Sequence, residues 1–222
     1  RPGFILLDYK GDLSDNDAFL RETGATVIRP GDEPIPINPF QLPDHANRSL
    51  APRAYAELFR VLSPKIGPVQ ESLVSDALTT CFAESAIRED RADARSQDYP
   101  TLGEIAEAIF NVYEQEGHKA DSLVAAVKDI AGYNLFAETS AFTFEEVFKA
   151  RWVINLSALK TLRTFVGFVL MEFLHQATTS LPDAAFDPEH ERRQVRGVVA
   201  VDEAHYYFKS RCQPLLDLLR VG

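Results

Sequence analysis

Two hydrophobic periodicities divide the chain. Short runs of mainly apolar or β-branched residues occur at 4–7, 25–28, 152–156 and 198–201. Such runs are typical of strands buried on both faces of a parallel sheet. Between the second and third runs, apolar residues recur at the three- and four-residue spacing of amphipathic helices. The pattern therefore predicts an α/β fold, a mainly parallel sheet with flanking helices, interrupted by an all-α insertion.

Local signals place several element boundaries. Ser14 or Asp15 is expected to cap a first helix that Gly24 ends, since Ser and Asp favour N-caps and Gly favours helix ends. Thr101 and Glu104 have the spacing of a capping box at a later helix. We expect one long helix over 157–179, a loop over 181–194 and a final helix through 219. Residues 84–98 lack an apolar stripe, which predicts a mobile connection or an exposed helix tail.

These elements suggest a discontinuous core. Residues 1–43 are predicted to form the first part of an α/β core, 44–140 the helical insertion, and 141–222 the second part of the core. The last apolar run ends abruptly in Asp202 and Glu203, and the first run ends in Asp8. Ligands of open α/β sheets bind beyond the carboxyl ends of the strands, so these carboxylates predict a site. The structural alternative is that Asp and Glu simply begin a helix.

Composition narrows the class of protein. Thirty-three acidic against 23 basic residues give a net charge of −10, which disfavours an extensive nucleic-acid surface but leaves room for a few basic loops on a ring or channel. Cys81 and Cys212 are too few for a disulfide framework, so we expect a reducing cytoplasm. The sequence predicts neither a membrane span nor a metal cluster of histidines.

Several motifs together resemble those of the HerA/FtsK superfamily of ring ATPases, which includes the conjugative coupling and type IV secretion motors. The segment FILLDYKGDL, residues 4–13, is similar to their strand after the phosphate-binding helix. PINPF, within 34–40, is similar to their Asn-Pro-hydrophobe loop, and VVAVDEAH, 198–205, to their Walker B strand. LLRVG, 218–222, is similar to the start of their Arg-rich segment. The HerA-like motor of phosphorothioate-dependent DNA restriction (the DndH or DptH type) is the branch that matches best.

The resemblance implies a RecA-like ATPase that uses ATP and Mg²⁺ and moves double-stranded DNA as a homo-oligomer, with a hexamer expected and other subunits of the same system as possible partners. It implies that Asp202 holds the magnesium ion and that Glu203 is the general base. It further implies that Arg220 acts in trans at a subunit interface. For Arg192, Arg193 and Arg196, the alternatives are a solvated loop and a DNA-facing pore loop.

Three more residues are candidates for contact with the nucleotide, each with a structural alternative. Asp8 either faces the site or caps its own loop. Lys10 either reaches a phosphate or is an exposed lysine. Ser157 either senses the γ-phosphate or is an N-cap. His205 either links the nucleotide to the next segment or is a simple helix residue.

The expected phosphate-binding motif, G-x-x-x-x-G-K-[ST], does not occur in these residues. In the superfamily it precedes the strand that ends at Asp8, so we expect the chain to begin just after it and to be inactive alone.

Three alternatives stay open. The DEAH motif at 202–205 is also that of superfamily 2 helicases, which the first motif fits poorly. A nucleotide-free scaffold that binds a partner would explain the missing loop, although not the intact acid pair. A protein-secretion or conjugation ATPase is the third, because nothing in the residues distinguishes DNA cargo from polypeptide cargo.

Overall fold

A computed structural model of the chain describes residues 2–43, 46–62, 66–91, 98–189, 191–209 and 213–221. The strands of this part are β1 Gly3–Asp8, β2 Thr26–Ile28, β3 Arg151–Asn155, β4 Phe186–Asp187, β5 Arg192–Arg193 and β6 Gly197–Val201. The helices are α1 Asp17–Thr23, α2 Ala51–Phe59, α3 Pro68–Arg91, α4 Leu102–Gln115, α5 Ser122–Ala131, α6 Phe144–Val147, α7 Arg163–Ser180, α8 His205–Lys209 and α9 Gln213–Val221, with a 3₁₀ turn at Ser157–Leu162 before α7.

Four strands form one parallel sheet in the order β2-β3-β1-β6. Leu7 of β1 lies opposite Ile154 on one side and Val201 on the other, so the carboxyl ends of these three strands share one edge. The α/β prediction is therefore confirmed. The strands that the sequence places first and second are not neighbours, because β3 pairs between them.

Two glycines at the opposite edge permit a close approach of the backbone. Gly3 and Gly197 face each other in the register of β1 and β6. A Cβ on Gly3 would overlap the carbonyl oxygens of Phe148 and Ala150, and one on Gly197 would lie 2.8 Å from the Phe148 oxygen. At the same edge, the N–H of Phe4 donates a hydrogen bond to the carbonyl oxygen of Ala150 at 2.8 Å. Any side chain at these two positions would push the connection before β3 off the sheet.

Helix α7 is the centre of the core. It buries ten residues, since it packs against α2, α6, α8 and α9. The buried apolar residues of the helical segment and of the sheet, such as Tyr55, Ile105 and Ile5, belong to one continuous cluster.

The domain boundaries suggested by the sequence stay a prediction. In the described part of the chain, no helix is long and apolar enough to cross a membrane.

The start of α1 differs from the prediction, whereas its end does not. Asn16 is the N-cap, with its side chain accepting from the Phe19 amide at 3.0 Å. The Ser14 hydroxyl instead donates a hydrogen bond to the Asp8 carboxylate at 2.6 Å. Ser14 is therefore bound to the end of β1 and does not cap α1. Gly24 ends α1 in the left-handed conformation, as predicted.

The prediction of one helix over 157–179 is wrong at its beginning. Residues Ser157–Leu162 form the 3₁₀ turn, with Lys160 at φ 45° and ψ −107°, before α7 begins. Ser157 is not an N-cap, because its amide and its hydroxyl both donate to Asn155 Oδ1, at 2.9 and 2.6 Å. The amide group of Asn155 thus turns the chain locally in place of a helix.

The structure refines the predictions for three further segments. Helix α3 continues to Arg91, which is the exposed-helix-tail alternative, while 92–97 lie outside the described residues. The segment over 181–194 contains the short antiparallel pair β4–β5 where a plain loop was expected. The segment predicted as the final helix contains α8 and α9, and residues 210–212, with Cys212, lie outside the described residues.

Candidate functional site

The two carboxylates of the last apolar run lie at the carboxyl edge of the sheet. Asp202 and Glu203 directly follow β6, at the edge where β1 ends in Asp8. The Asp202 amide donates to the carbonyl of Leu7 at 3.0 Å, which extends the β1–β6 pairing into the turn. The position of the pair is therefore set by the sheet, as ligand sites in open α/β sheets are.

Asp202 is available for a ligand. Its side chain is half-buried, and within the described residues no hydrogen bond or ion pair reaches its carboxylate. No group of three or more His, Cys, Asp or Glu in that part of the chain could hold a metal ion. Mg²⁺ is commonly held by one or two carboxylates together with water and phosphate oxygens, so this donor set fits Mg²⁺ only alongside a phosphate ligand.

Glu203 is held in an unusual conformation with both carboxylate oxygens engaged. Its φ is 52°, the left-handed region, which costs a non-glycine residue about 1–3 kcal/mol and is common at functional sites. Oε1 forms an ion pair with the ammonium group of Lys10. Oε2 lies 3.0 Å from Nδ1 of His205. The carboxylate is thus fixed between the loop after β1 and the start of α8.

This arrangement changes the pKa of both partners. The hydrogen bond from Lys10 is the largest influence on the pKa of Glu203 and lowers it. Desolvation opposes this effect, the charges of Lys10 and His205 add to it, and the net pKa lies below its ordinary value. The hydrogen bond and charge of Glu203 raise the pKa of Lys10. Both groups are therefore held in their charged forms.

Aromatic residues that the sequence analysis did not single out connect the same loops. The ring of Tyr9 stacks on that of Tyr206, with centroids 4.6 Å apart and planes at 10°. The guanidinium carbon of Arg163 lies 4.4 Å from the Tyr9 centroid; two groups this close over one ring must occupy its opposite faces. We call Arg163, Tyr9 and Tyr206 the rim stack. No local sequence signal predicts the rim stack, because the stack forms only when β1 and β6 are neighbours in the sheet.

Tyr207, the residue after Tyr206, anchors the start of α8 in the core. Tyr207 is fully buried, and it packs where α7 carries Gly167. A Cβ on Gly167 would lie 2.7 Å from Cζ of Tyr207 and closer still to the hydroxyl and Cε1. Gly167 thus makes the space that lets α8 sit against α7 directly after Glu203.

Asp8 organises its own loop. Its fully buried carboxylate accepts hydrogen bonds from the amides of Gly11, Leu13 and Ser14 at 2.9, 3.1 and 2.7 Å, and from the Ser14 hydroxyl at 2.6 Å. This geometry favours the loop-capping alternative. Direct contact of Asp8 with a nucleotide stays a prediction.

Ser157 lies one strand further along the edge. With Asn155, Asp15 and Arg29 it helps to line a cavity of about 410 Å³ at the ends of β2 and β3. β1 separates this cavity from Asp202 and Glu203 in the sheet. A role for Ser157 in sensing a phosphate stays a prediction.

The arginines lie outside this cluster. Arg220 is exposed at the end of α9 and pairs with Asp217 at 3.1 Å. Arg193 of β5 pairs with Asp183 at 2.9 Å, and Arg196, between β5 and β6, donates a hydrogen bond to the Pro182 carbonyl. Arg192 is exposed. None of the contacts recorded for described residues connects these side chains with Asp202 or Glu203.

The architecture occurs in a known protein. The fold is similar to that of VirB4. The structure of VirB4 of Thermoanaerobacter pseudethanolicus matches 90% of this chain with a TM-score of 0.59 at 19% sequence identity. The match covers 52% of the VirB4 chain, so this chain spans about half of its length. No protein-family model matches the chain, and no curated protein does. The likeness to VirB4 supports the RecA-like α/β fold.

Proposed function

We propose that this chain is part of the catalytic core of an ATP-hydrolysing motor of the secretion or conjugation type. The observation that carries the proposal is the acid pair at the carboxyl edge of a parallel sheet. Among the residues that the structure describes, none contacts the Asp202 carboxylate by a hydrogen bond or ion pair, and Glu203 is fixed beside it. The VirB4 fold favours a secretion-type motor over the DNA-restriction motor that the sequence suggested first.

In this proposal the two carboxylates have different tasks. Asp202 contributes one oxygen ligand to a magnesium ion that is otherwise bound by water and by the phosphates of ATP. When bound, that ion neutralises charge that develops on the phosphates during transfer. Glu203 orients the attacking water and accepts its proton. Its lowered pKa keeps it ionised, as a base must be.

Nucleotide binding tests the task of Asp202. The protein should contain this chain together with its phosphate-binding loop, and the measurement is titration with a fluorescent ATP analogue at several Mg²⁺ concentrations. We expect Asp202→Asn to weaken the dependence of affinity on Mg²⁺. Asp129→Asn, an exchange of an exposed aspartate on α5, is the control. Equal Mg²⁺ dependence in wild type and Asp202→Asn would contradict the assignment.

Double-stranded DNA as cargo is the second form of the proposal, and exposed arginine on the β4–β5 segment supports it. Arg192 is exposed, and the described part of the chain offers it no ion pair, whereas Arg193 is paired with Asp183. A phosphate contact made by Arg192 would be lost in Arg192→Ala, which should lower DNA affinity and reduce its salt dependence. Unchanged DNA binding, or no binding by the wild type, would favour polypeptide cargo.

The proposal also includes assembly into a homo-oligomer, with a hexamer expected, in which Arg220 serves the site of the neighbouring subunit. Arg220→Ala and Glu203→Gln subunits would then be inactive separately. Mixed rings should regain part of the activity, because some interfaces combine an intact arginine with an intact glutamate. No recovery on mixing would contradict a role in trans.

A further inference from the structure

Lys10 was a candidate for a phosphate contact, yet its ammonium group is committed to the protein. It lies on the loop after β1 and pairs with Oε1 of Glu203 on the turn after β6. The side chain of Lys10 is 57% exposed, whereas that of Glu203 is only 20% exposed. The ion pair therefore joins a solvated, flexible lysine to a more enclosed carboxylate. An exposed ion pair alone is too weak to hold such a geometry.

The rim stack supplies what the ion pair lacks. Tyr9 directly precedes Lys10, and Tyr206 lies one helical turn after Glu203. Their stacked rings fix these two backbones relative to each other. On the other face of Tyr9, Arg163 adds a cation–π contact and a 3.3 Å hydrogen bond to the Tyr9 carbonyl, which ties the pair to the start of α7.

We propose that Lys10 is a positioning residue for Glu203, held in place by the rim stack, and that it orients the carboxylate toward the water that attacks ATP. This inference rests on the proposed function for its catalytic consequence but not for its geometry. An ionised carboxylate has about four lone-pair positions. Lys10 and His205 occupy two of them, so positions remain for a water molecule while both partners stay bound.

Kinetics separate this role from a phosphate contact. If Lys10 orients Glu203, Lys10→Met lowers kcat by roughly 10-fold or more, the cost of a misplaced reacting group, and leaves KM for ATP nearly unchanged. If Lys10 binds a phosphate, the same substitution raises KM for ATP instead. A raised KM with an unaltered kcat would overturn the proposal.

A chemical cross-link tests the geometry without any need for activity. A zero-length carbodiimide joins a lysine amine to a carboxylate that it contacts, and mass spectrometry measures the peptide that links Lys10 to Glu203. We expect this cross-link in the wild type. Tyr206→Ala should lower its yield by about two- to tenfold, the factor to which an aromatic pair of ordinary strength corresponds, whereas Tyr206→Phe should restore it because the ring is kept.

Phe208→Ala is the matched control, since Phe208 is a similarly exposed aromatic residue on the same helix α8. It should leave the yield of the cross-link unchanged. Equal yields in Tyr206→Ala and wild type, or an equal loss in Phe208→Ala, would overturn the role of the rim stack. A cross-link that follows this pattern in a protein that includes the phosphate-binding loop and yet shows no ATPase activity would instead refute the proposed function and leave the positioning geometry standing.

Discussion

The hydrogen bonds of Asp8 yield a prediction of large effect. Its carboxylate accepts from three backbone amides and one hydroxyl, and three of these four bonds go to Oδ2. The donors belong to Gly11, Leu13 and Ser14, which together close the loop between β1 and α1. Asp8→Ala would remove every acceptor and leave these donors facing an apolar methyl group.

The magnitude follows from the burial of these groups. A hydrogen bond to a charged acceptor contributes about 1.5–3 kcal/mol, and a buried donor without a partner costs about 1–3 kcal/mol. Asp8, Gly11 and Ser14 are buried, whereas Leu13 is half-buried, so water can compensate only part of the loss. We expect Asp8→Ala to lower the free energy of unfolding by about 3–5 kcal/mol, at the upper end of single substitutions.

Urea unfolding followed by circular dichroism measures this change. Asp12→Ala is the matched control, because Asp12 is an exposed aspartate in the same loop and its loss should cost no more than about 0.5 kcal/mol. If Asp8 serves the nucleotide rather than the loop, Asp8→Ala will weaken ATP binding and leave stability near that of Asp12→Ala. That result would refute the loop-capping argument.

Two other predictions concern stability. Gly167→Ala should lower the free energy of unfolding by about 1–3 kcal/mol, because the new methyl group overpacks against the buried ring of Tyr207. Gly103→Ala is the helical control, since its new Cβ would meet only the Thr101 hydroxyl at an ordinary 3.8 Å. It should be neutral or slightly stabilising in the same thermal melts, and equal effects would contradict the packing argument. Asp121 caps α5 and accepts hydrogen bonds from Gln70 and Tyr113. Burial raises the pKa of Asp121, but these bonds outweigh it, and the net pKa lies below its ordinary value. The stability that Asp121 contributes should thus be complete above its unfolded pKa of about 3.9 and be lost as pH falls through the lower folded pKa. The difference in unfolding free energy between wild type and Asp121→Asn should accordingly narrow below that pH; a constant difference down to pH 3 would contradict the shift.

The sequence predicted the sheet well because each strand is a continuous apolar run with a polar residue at its end. It also placed Asp202 and Glu203 at the edge of the sheet, since a strand end needs only local information. Helix capping was less predictable. Ser14 is as good a cap as Asn16 in isolation, and only the position of Asp8 in the fold decides between them.

Contacts between distant loops were beyond a sequence pattern. The pairing of Lys10 with Glu203 and the stacking of Tyr9 on Tyr206 both require that β1 and β6 be neighbours, and no residue encodes that order locally. The bend at Lys160 could not be predicted either, because no glycine or proline lies next to it in the sequence.

The central claim is that Glu203 activates water for ATP hydrolysis, and the steady-state ATPase rate of Glu203→Gln tests it most directly. The protein should again include the phosphate-binding loop. Glu191→Gln is a close control, since Glu191 is also a glutamate in the left-handed region, at φ 50° against 52° for Glu203, but lies on the β4–β5 segment. We predict that Glu203→Gln lowers kcat by about 10²–10⁴-fold, as the loss of a general base does, while ATP binding persists and Glu191→Gln hydrolyses ATP like the wild type. Turnover at the wild-type rate in Glu203→Gln would contradict the account.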